Sequence, residues 1–307
     1  SQAVAKAAAK SSLLPLSLYL RQQVAKTNRE HKIPCPMFNV IEGGKHAEGG
    51  LNFQEFLLIP ASSHSYEKAL EIGVTIYKKL KQLLKDTNQS TLYAEEGGFA
   101  PSYTSNSEAF RSIRAAISDS PYDYLRDIFM GVDISANSFL SNNKYTLKDK
   151  NGQLDQDDLM EIYQGLFTEH SLVYFEDPFG EDDWDGWKKM YQAFASKALI
   201  CGDDITSTNP YRIQSALNNN VLNAIVIKPT QIGTVTETLA VVEIARFKQL
   251  KTIISNRSGE TGDDFIADLA VAVDSDYVKF GAPSRERIIK YNRLLSIQKE
   301  LKGATLL

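Results

Sequence analysis

LVYFEDPFGEDDWDGWKKMYQAFASKALICGDDITSTNPYRIQSALNNNVLNAIVIKPTQIG, residues 172–233, decides the architecture of this chain. Three apolar runs in it, LVYFE, ALICGD and AIVIK, stop on Glu176, Asp203 and Lys228, and helix-like segments fill the gaps. Outward from this stretch the pattern continues: IFMGVD stops on Asp133, TIISN on Asn256 and YVK on Lys279. The six endings are separated by 43, 27, 25, 28 and 23 residues, room for one helix and two loops each time. Such alternation predicts a parallel sheet with crossover helices. If the sheet closes into a (β/α) barrel, residues at the carboxyl ends of the strands surround one mouth. Three acids followed by two lysines on one rim point to a bound divalent metal and a substrate carrying several negative charges.

Size and composition agree with one large core. The chain has 307 residues, 43% of them apolar, and a barrel domain takes about 250. No stretch reaches the roughly 18 uninterrupted apolar residues of a membrane span, and SQAVAKAAAK at the start lacks the apolar centre of a signal peptide. A net charge of −4 and a pI near 5.7 leave no basic footprint, so neither nucleic acid nor membrane is expected as a partner. Cys35 and Cys201 belong to no CxxC pair and read as isolated buried thiols in a reducing cytosol. Metal ligation then falls to oxygen.

Along the chain, residues 1–30 read as helix, with a proline suited to a first turn. PCPMFNVI (34–41) and NFQEFLLIP (52–60) read as strands flanking the Gly-rich EGGKHAEGG (42–50), a hairpin-like start that plain alternation would not have. Residues 66–85 are helical by period, and TLYAEEGGFAP (91–101) reads as strand followed by loop. SNSEAFRSIRAAISD (105–119) is a helix with a Ser N-cap and Glu108 in its first turn. The polar 142–158 is an exposed excursion before a helix at 158–168, and RERIIKYNRLLSIQKEL (285–301) is a closing amphipathic helix. There is no internal repeat.

Asp133, Glu176 and Asp203 carry the strongest chemical signal. Hard cations such as Mg²⁺ take carboxylate oxygens, and separate strands are needed to bring several to one point. Taken singly, each acid could equally cap the helix after its strand, and Lys228 and Lys279 could be strand-end lysines reaching for solvent. His46 could be an ordinary loop histidine, and Glu96 a turn acid before two glycines.

PCPMFNVIEGGKHAEGGLNFQEFLLIP, EEGGFAP, YFEDPFGEDDW, GDDITSTNP, QIGTVTETL, NRSGETGDDFIADLAVA and KFGAPSRERIIKYNRLL resemble the characteristic segments of enolases, in order and across essentially the whole chain. The resemblance implies an α/β fold, a (β/α)8-type TIM barrel with a β-β-α-α start. Residues 33–307 would form it, and residues 1–32 would be a helical lead-in, the end of an N-terminal domain otherwise absent. It implies Mg²⁺ held by Asp133, Glu176 and Asp203, with Lys228 removing the C2 proton of 2-phospho-D-glycerate. Glu96 would assist loss of the C3 hydroxyl, and Glu55 and His46 would line the substrate site. Arg257 and Ser258 would contact phosphate, with Asn256 beside them, and Lys279 would lie by the substrate carboxylate. The implied activity is reversible dehydration of a small phosphorylated hydroxy acid to phosphoenolpyruvate in glycolysis, by a cytoplasmic lyase that pairs as a homodimer. A proton beside a carboxylate is weakly acidic, and a lysine base with one or two Mg²⁺ is the solution known for this superfamily. Such a lysine needs a lowered pKa, which nearby metals and a second ammonium would give it.

Several positions depart from the enolase pattern. Asn256 stands in place of the histidine of S-H-R-S-G-E, and an amide cannot become cationic near neutral pH. Pro229 and Thr230 follow the base, Glu42 and Lys45 alter the charge of the N-G-G loop, and Ser138 replaces a glutamate after the first metal acid. A mobile loop of the N-terminal domain, which would exclude water by closing, is not expected here. Three readings therefore stand side by side: a working divergent enolase, an impaired enolase-like protein kept for binding or scaffolding, and a relative acting on another 2-hydroxy or phospho acid.

Overall fold

Apolar strands too short to bury both faces alone must close on one another, and here they do. The computed structural model describes residues 1–24, 32–47 and 49–304. Helices α1 (Gln2–Ser11) and α2 (Leu16–Arg21) precede β1 (Cys35–Glu42), β2 (Glu55–Pro60), α3 (Tyr66–Asp86), α4 (Asn106–Ser118) and β3 (Ile128–Asp133). A small hairpin, β4 (Leu140–Ser141) and β5 (Lys144–Tyr145), leads to α5 (Gln156–His170), β6 (Tyr174–Glu176), α6 (Trp184–Phe194) and β7 (Leu199–Gly202). Then come α7 (Pro210–Asn219), β8 (Ala224–Ile227), α8 (Pro229–Ile232), α9 (Val235–Phe247), β9 (Lys251–Ser255), α10 (Phe265–Ala272), β10 (Tyr277–Lys279) and α11 (Ile288–Ala304). Eight strands form a closed barrel in the order β1-β10-β9-β8-β7-β6-β3-β2. β2 runs antiparallel to both β1 and β3, and the other neighbours are parallel. The hairpin-like start and the β-β-α-α opening are thus present.

Period-2 alternation splits the core into two shells. Met37, Leu57, Ile59, Tyr174, Cys201, Ala224, Val226 and Ile253 pack together inside the barrel. Their strand neighbours, among them Phe38, Phe56, Val132, Phe175, Ile200, Ile227 and Ile254, face the helices in a second, larger cluster. Cys35 and Cys201 are both buried and unpaired. No helix among the described residues is long and apolar enough to cross a membrane.

Four expectations need correction. Residues 1–24 are two helices, because Leu13 turns into the left-handed region (φ 54°) and Pro15 offers no amide N–H to continue a helix; residues 25–30 of that reading lie outside the described residues. The 91–101 segment is no strand: β1 already has β10 and β2 as neighbours, so a closed barrel leaves no edge. Tyr93 and Phe99 make only isolated bridges there. The helix expected from 158 begins two residues earlier, at Gln156, since Asp155 caps α5 by accepting from the amides of Asp157 and Asp158. The closing helix begins with a 3₁₀ turn, Arg285–Arg287.

Candidate active site at the barrel mouth

The phase that sorts the core also sorts the site. Asp133 follows Gly131, Glu176 follows Tyr174, Asp203 follows Cys201, Lys228 follows Val226 and Lys279 follows Tyr277 on the inner face. Asn256 is out of phase: it shares parity with Ile254 of the outer shell, and Ser255 takes the inner position with Ile253. Because β2 is antiparallel, its first residue, Glu55, lies at the end where the parallel strands finish. The registers then align four acids in one row, Glu42 with Glu55, Glu55 with Asp133 and Asp133 with Glu176. Like charges in adjacent strands repel, so the row demands cations.

Lys279 is the first of them. Its Nζ lies 2.8 and 2.9 Å from the two oxygens of Glu176, 2.8 Å from Glu55 Oε2 and 3.4 Å from Asp133 Oδ2. Burial opposes the ammonium, but Glu176, Glu55 and Asp133 hold its pKa well above the ordinary lysine range. Lys228 is the second, bonded to Asp203 Oδ2. Burial lowers its pKa as well, and the Asp203 charge more than reverses this, leaving it raised. In the protein alone, the lowered pKa that a base requires is therefore not present. Asp203 is correspondingly low despite burial, through Lys228 and Lys279, and it accepts a further bond from Gln231 Nε2 at 3.2 Å.

One ammonium does not neutralise the row. Burial and Glu176 keep the Asp133 carboxyl well above its usual range, and burial lifts Glu176 to about 7 against the pull of Lys279. Asp133 Oδ1 is buried with no hydrogen-bond partner. Asp133, Glu176 and Asp177 offer oxygens within 4.8 Å of one another, and so, separately, do His46, Glu55 and Glu96. Hard oxygen donors, an orphaned carboxylate oxygen and carboxyls short of positive charge fit a divalent cation. Asp203 stands beside the first group, in its pair with Lys228, and is not a member of it.

The structure adds Asp177, which sequence spacing did not single out. Its oxygens accept the amides of Asp203 at 3.1 Å and Asp204 at 2.6 Å, so it sets the backbone from which Asp203 projects. The acidic doublet Glu176–Asp177 was its only trace. Glu96 is buried with Oε2 unpartnered, and burial, then the Glu55 charge, lifts its carboxyl to about 8. His46 Nδ1 lies 3.6 Å from both Glu42 Oε2 and Glu55 Oε1, and burial lowers its pKa. Arg257 is exposed and Ser258 half-buried; their carbonyls both accept from the buried Arg287, whose guanidinium also bonds Glu95 O at 3.1 Å. Arg287 thus ties the Arg257–Ser258 loop to the Glu95–Glu96 turn. Asn256 spends Nδ2 on Arg257 O at 2.7 Å, while its Oδ1 has no partner. A cleft of about 1150 Å³ opens beside this end, lined by His46, Glu95, Ser258 and Arg285 among others; the lysine–acid centre is not part of its lining.

Known proteins share this arrangement of sequence. The family model described as "Enolase, C-terminal TIM barrel domain" matches residues 30–306. The chain belongs to the enolase family. Among curated relatives, the "Enolase" of Natranaerobius thermophilus is 40% identical over 303 residues, covering 98% of this chain and 70% of that protein. That of Ehrlichia canis is 41% identical over 302 residues, with 98% and 70% covered. That of Helicobacter pylori strain P12 is 40% identical over 305 residues, with 99% and 70% covered.

Proposed function

We propose that this enolase-family barrel carries out the Mg²⁺-dependent, reversible dehydration of 2-phospho-D-glycerate to phosphoenolpyruvate. The observation that carries the proposal is the opposition of two kinds of group at one mouth. Lys228 and Lys279 sit among carboxylates, whereas Glu96, grouped with Glu55 and His46, is buried with Oε2 unpartnered and its carboxyl raised to about 8. A base and an acid of separated pKa are what elimination across two carbons requires.

In this reading Lys228 takes the C2 proton, and Glu96, protonated at neutral pH, delivers one to the departing C3 hydroxyl. Lys279 lies against the substrate carboxylate, where charge accumulates as the proton leaves. Arg257 offers phosphate a planar fork of donors and Ser258 a hydroxyl, while His46 and Glu55 line the wall between them. Asp133, Glu176 and Asp203 would hold Mg²⁺, which when bound would neutralise the substrate carboxylate and, by engaging Asp203, loosen its hold on Lys228. The same proposal takes residues 33–307 as the barrel unit and residues 1–32 as its lead-in, and extends to a cytoplasmic protein that pairs with a second copy. Ultraviolet absorbance of phosphoenolpyruvate, followed after adding 2-phospho-D-glycerate and Mg²⁺, tests it; no absorbance change at any protein concentration rejects it.

One observation favours a second reading, an enolase-like protein retained for binding. Asn256 uses its only donor group on the neighbouring Arg257 carbonyl and leaves an acceptor unpartnered. It offers no titrating group beside the phosphate loop. Substrate binding without turnover in the same assay would support this alternative.

A further inference from the structure

Glu42 ends β1 and is 1% exposed, yet the reaction outlined above gives it no task. An irregularity of register between Asn39 and Ile41 re-aims the strand end, so that Glu42 comes to pair with Glu55 in the acid row. Its two oxygens then point at the turn that carries Glu96. Oε1 and Oε2 accept the Glu96 amide at 3.2 and 3.0 Å, and Oε1 accepts the Gly98 amide at 2.7 Å. The approach is close enough that a Cβ on Gly98 would lie 2.8 Å from Oε1. The rest of the turn is bonded from the other sides. Gly97 O accepts from Tyr77 Oη at 2.5 Å and Ser284 Oγ at 3.0 Å, Glu95 O from Arg287 at 3.1 Å, and Glu96 O from the Ala282 amide at 2.9 Å. The main chain around Glu96 is thus held on every side, while the Glu96 carboxyl keeps a buried oxygen without a partner.

We propose that Glu42 is a positioning residue, which by accepting the Glu96 and Gly98 amides fixes the turn and aims the Glu96 carboxyl into the site. The proposal rests on the enolase reading for the role of Glu96, but not for the hold itself. A buried carboxyl is expensive to desolvate and is kept where both oxygens have donors. Burial, then the Glu96 charge, lifts the Glu42 carboxyl to about 9, but both of its oxygens can still accept. Glutamine has the same shape and puts in place of one of them an NH2 that cannot, facing an amide N–H.

The test uses Glu42→Gln and Glu42→Asp in the full chain, with amide hydrogen exchange and kinetics read on the same samples. In Glu42→Gln, exchange at Glu96 and Gly98 should quicken by about tenfold, with β3 and β6 amides unchanged, as a local opening does. Its kcat for dehydration should fall about tenfold with KM within about twofold, because a misplaced acid costs the chemical step more than binding. Exchange of the C2 proton with solvent deuterium should persist, since Lys228 is untouched, and Glu42→Asp should recover part of kcat. Unchanged exchange at both amides overturns the proposal, as does faster exchange spread evenly over the barrel, which would mean general loosening. If the wild-type protein shows neither C2 exchange nor turnover, the enolase reading fails, and the local amide exchange still decides whether Glu42 holds the turn.

Discussion

Lys228 Nζ and Asp203 Oδ2 are bonded to each other, so the proposed base and a proposed metal ligand occupy one partly buried ion pair. Each holds the other in its charged form, lysine raised and aspartate lowered. A cation arriving at Asp203 competes with the ammonium for the same carboxylate. Asp203→Asn should weaken Mg²⁺ binding about tenfold or more, a loss of at least ~1.4 kcal/mol, measured by calorimetry. Equal affinity in both proteins would remove Asp203 from the metal site.

The two lysines should fail in different ways. Lys228→Ala and Lys279→Ala should both be nearly inactive, but only Lys228→Ala should stop exchange of the C2 proton with solvent deuterium. Lys279 balances Glu55, Asp133 and Glu176 in the interior. Its loss leaves buried charge uncompensated and should cost about 3 kcal/mol in urea unfolding. Undiminished C2 exchange in Lys228→Ala would place the base elsewhere.

Glu96 should leave a mark on the pH dependence of stability. Its folded pKa of about 8 lies above the ordinary 4.5, so the native state holds the proton that the unfolded chain releases. The stability contributed by the protonated form is complete below about 4.5 and is lost as pH rises through about 8. Glu96→Gln, permanently neutral, should therefore raise Tm at pH 9 and change it little at pH 4, by scanning calorimetry. A lower Tm for the variant at pH 9 would show that the folded protein favours the carboxylate.

Asn256→His should raise kcat more than it alters KM. A charge-assisted hydrogen bond is about twice as strong as a neutral one, and the gain comes as charge moves in the transition state. Steady-state kinetics on the two proteins decide it. An unchanged kcat would make the asparagine a neutral substitution and weaken the binding-only reading.

Helices α1 and α2 are tied to the barrel by the pairs Lys6–Asp263 and Arg21–Asp274 and, at the start of α2, by the buried Asp268. Asp268 accepts both arms of the Arg293 fork at 2.7 Å and the Ser17 amide at 3.1 Å. Asp268→Ala should cost about 2 kcal/mol, because it removes two of the bonds that hold the Arg293 guanidinium, which keeps Glu300 at 2.9 Å, and leaves the helix-start amide of Ser17 without its acceptor. Urea denaturation checks this, and a loss below about 1 kcal/mol would mean that α1 and α2 are held mainly by apolar contact and by the Lys6 and Arg21 ion pairs.

Much of the site was legible because strand ends are written locally. Asp133, Glu176, Asp203, Lys228 and Lys279 close apolar runs whose alternation puts them in the same phase as barrel-filling residues. Asn256 also closes such a run, yet falls on the other phase, a difference visible only after the inner shell is known. Glu55 opens its strand, so no rule about strand endings could find it, and only the resemblance to enolases pointed to it. Arg287 looked like one more residue of an amphipathic helix, and its bonds to three carbonyls of two distant loops have no counterpart in local pattern.

The sequence by itself determined the barrel, its mouth and the chemical character of that mouth, because periodicity and spacing are properties of neighbours along the chain. Tertiary structure decided which charge meets which. Closing the sheet sets Glu42, Glu55, Asp133 and Glu176 side by side, though they come from four strands. It inserts Lys279 among them, pairs Lys228 with Asp203, and leaves Glu96 with a buried oxygen unpartnered. Protonation follows from those distances and from burial, since both the Coulomb energy and the cost of desolvation depend on position in space. That is why the acids and lysines of the mouth could be named from the order of residues, and a proposed base and acid from the resemblance to enolases, while their charge states could not.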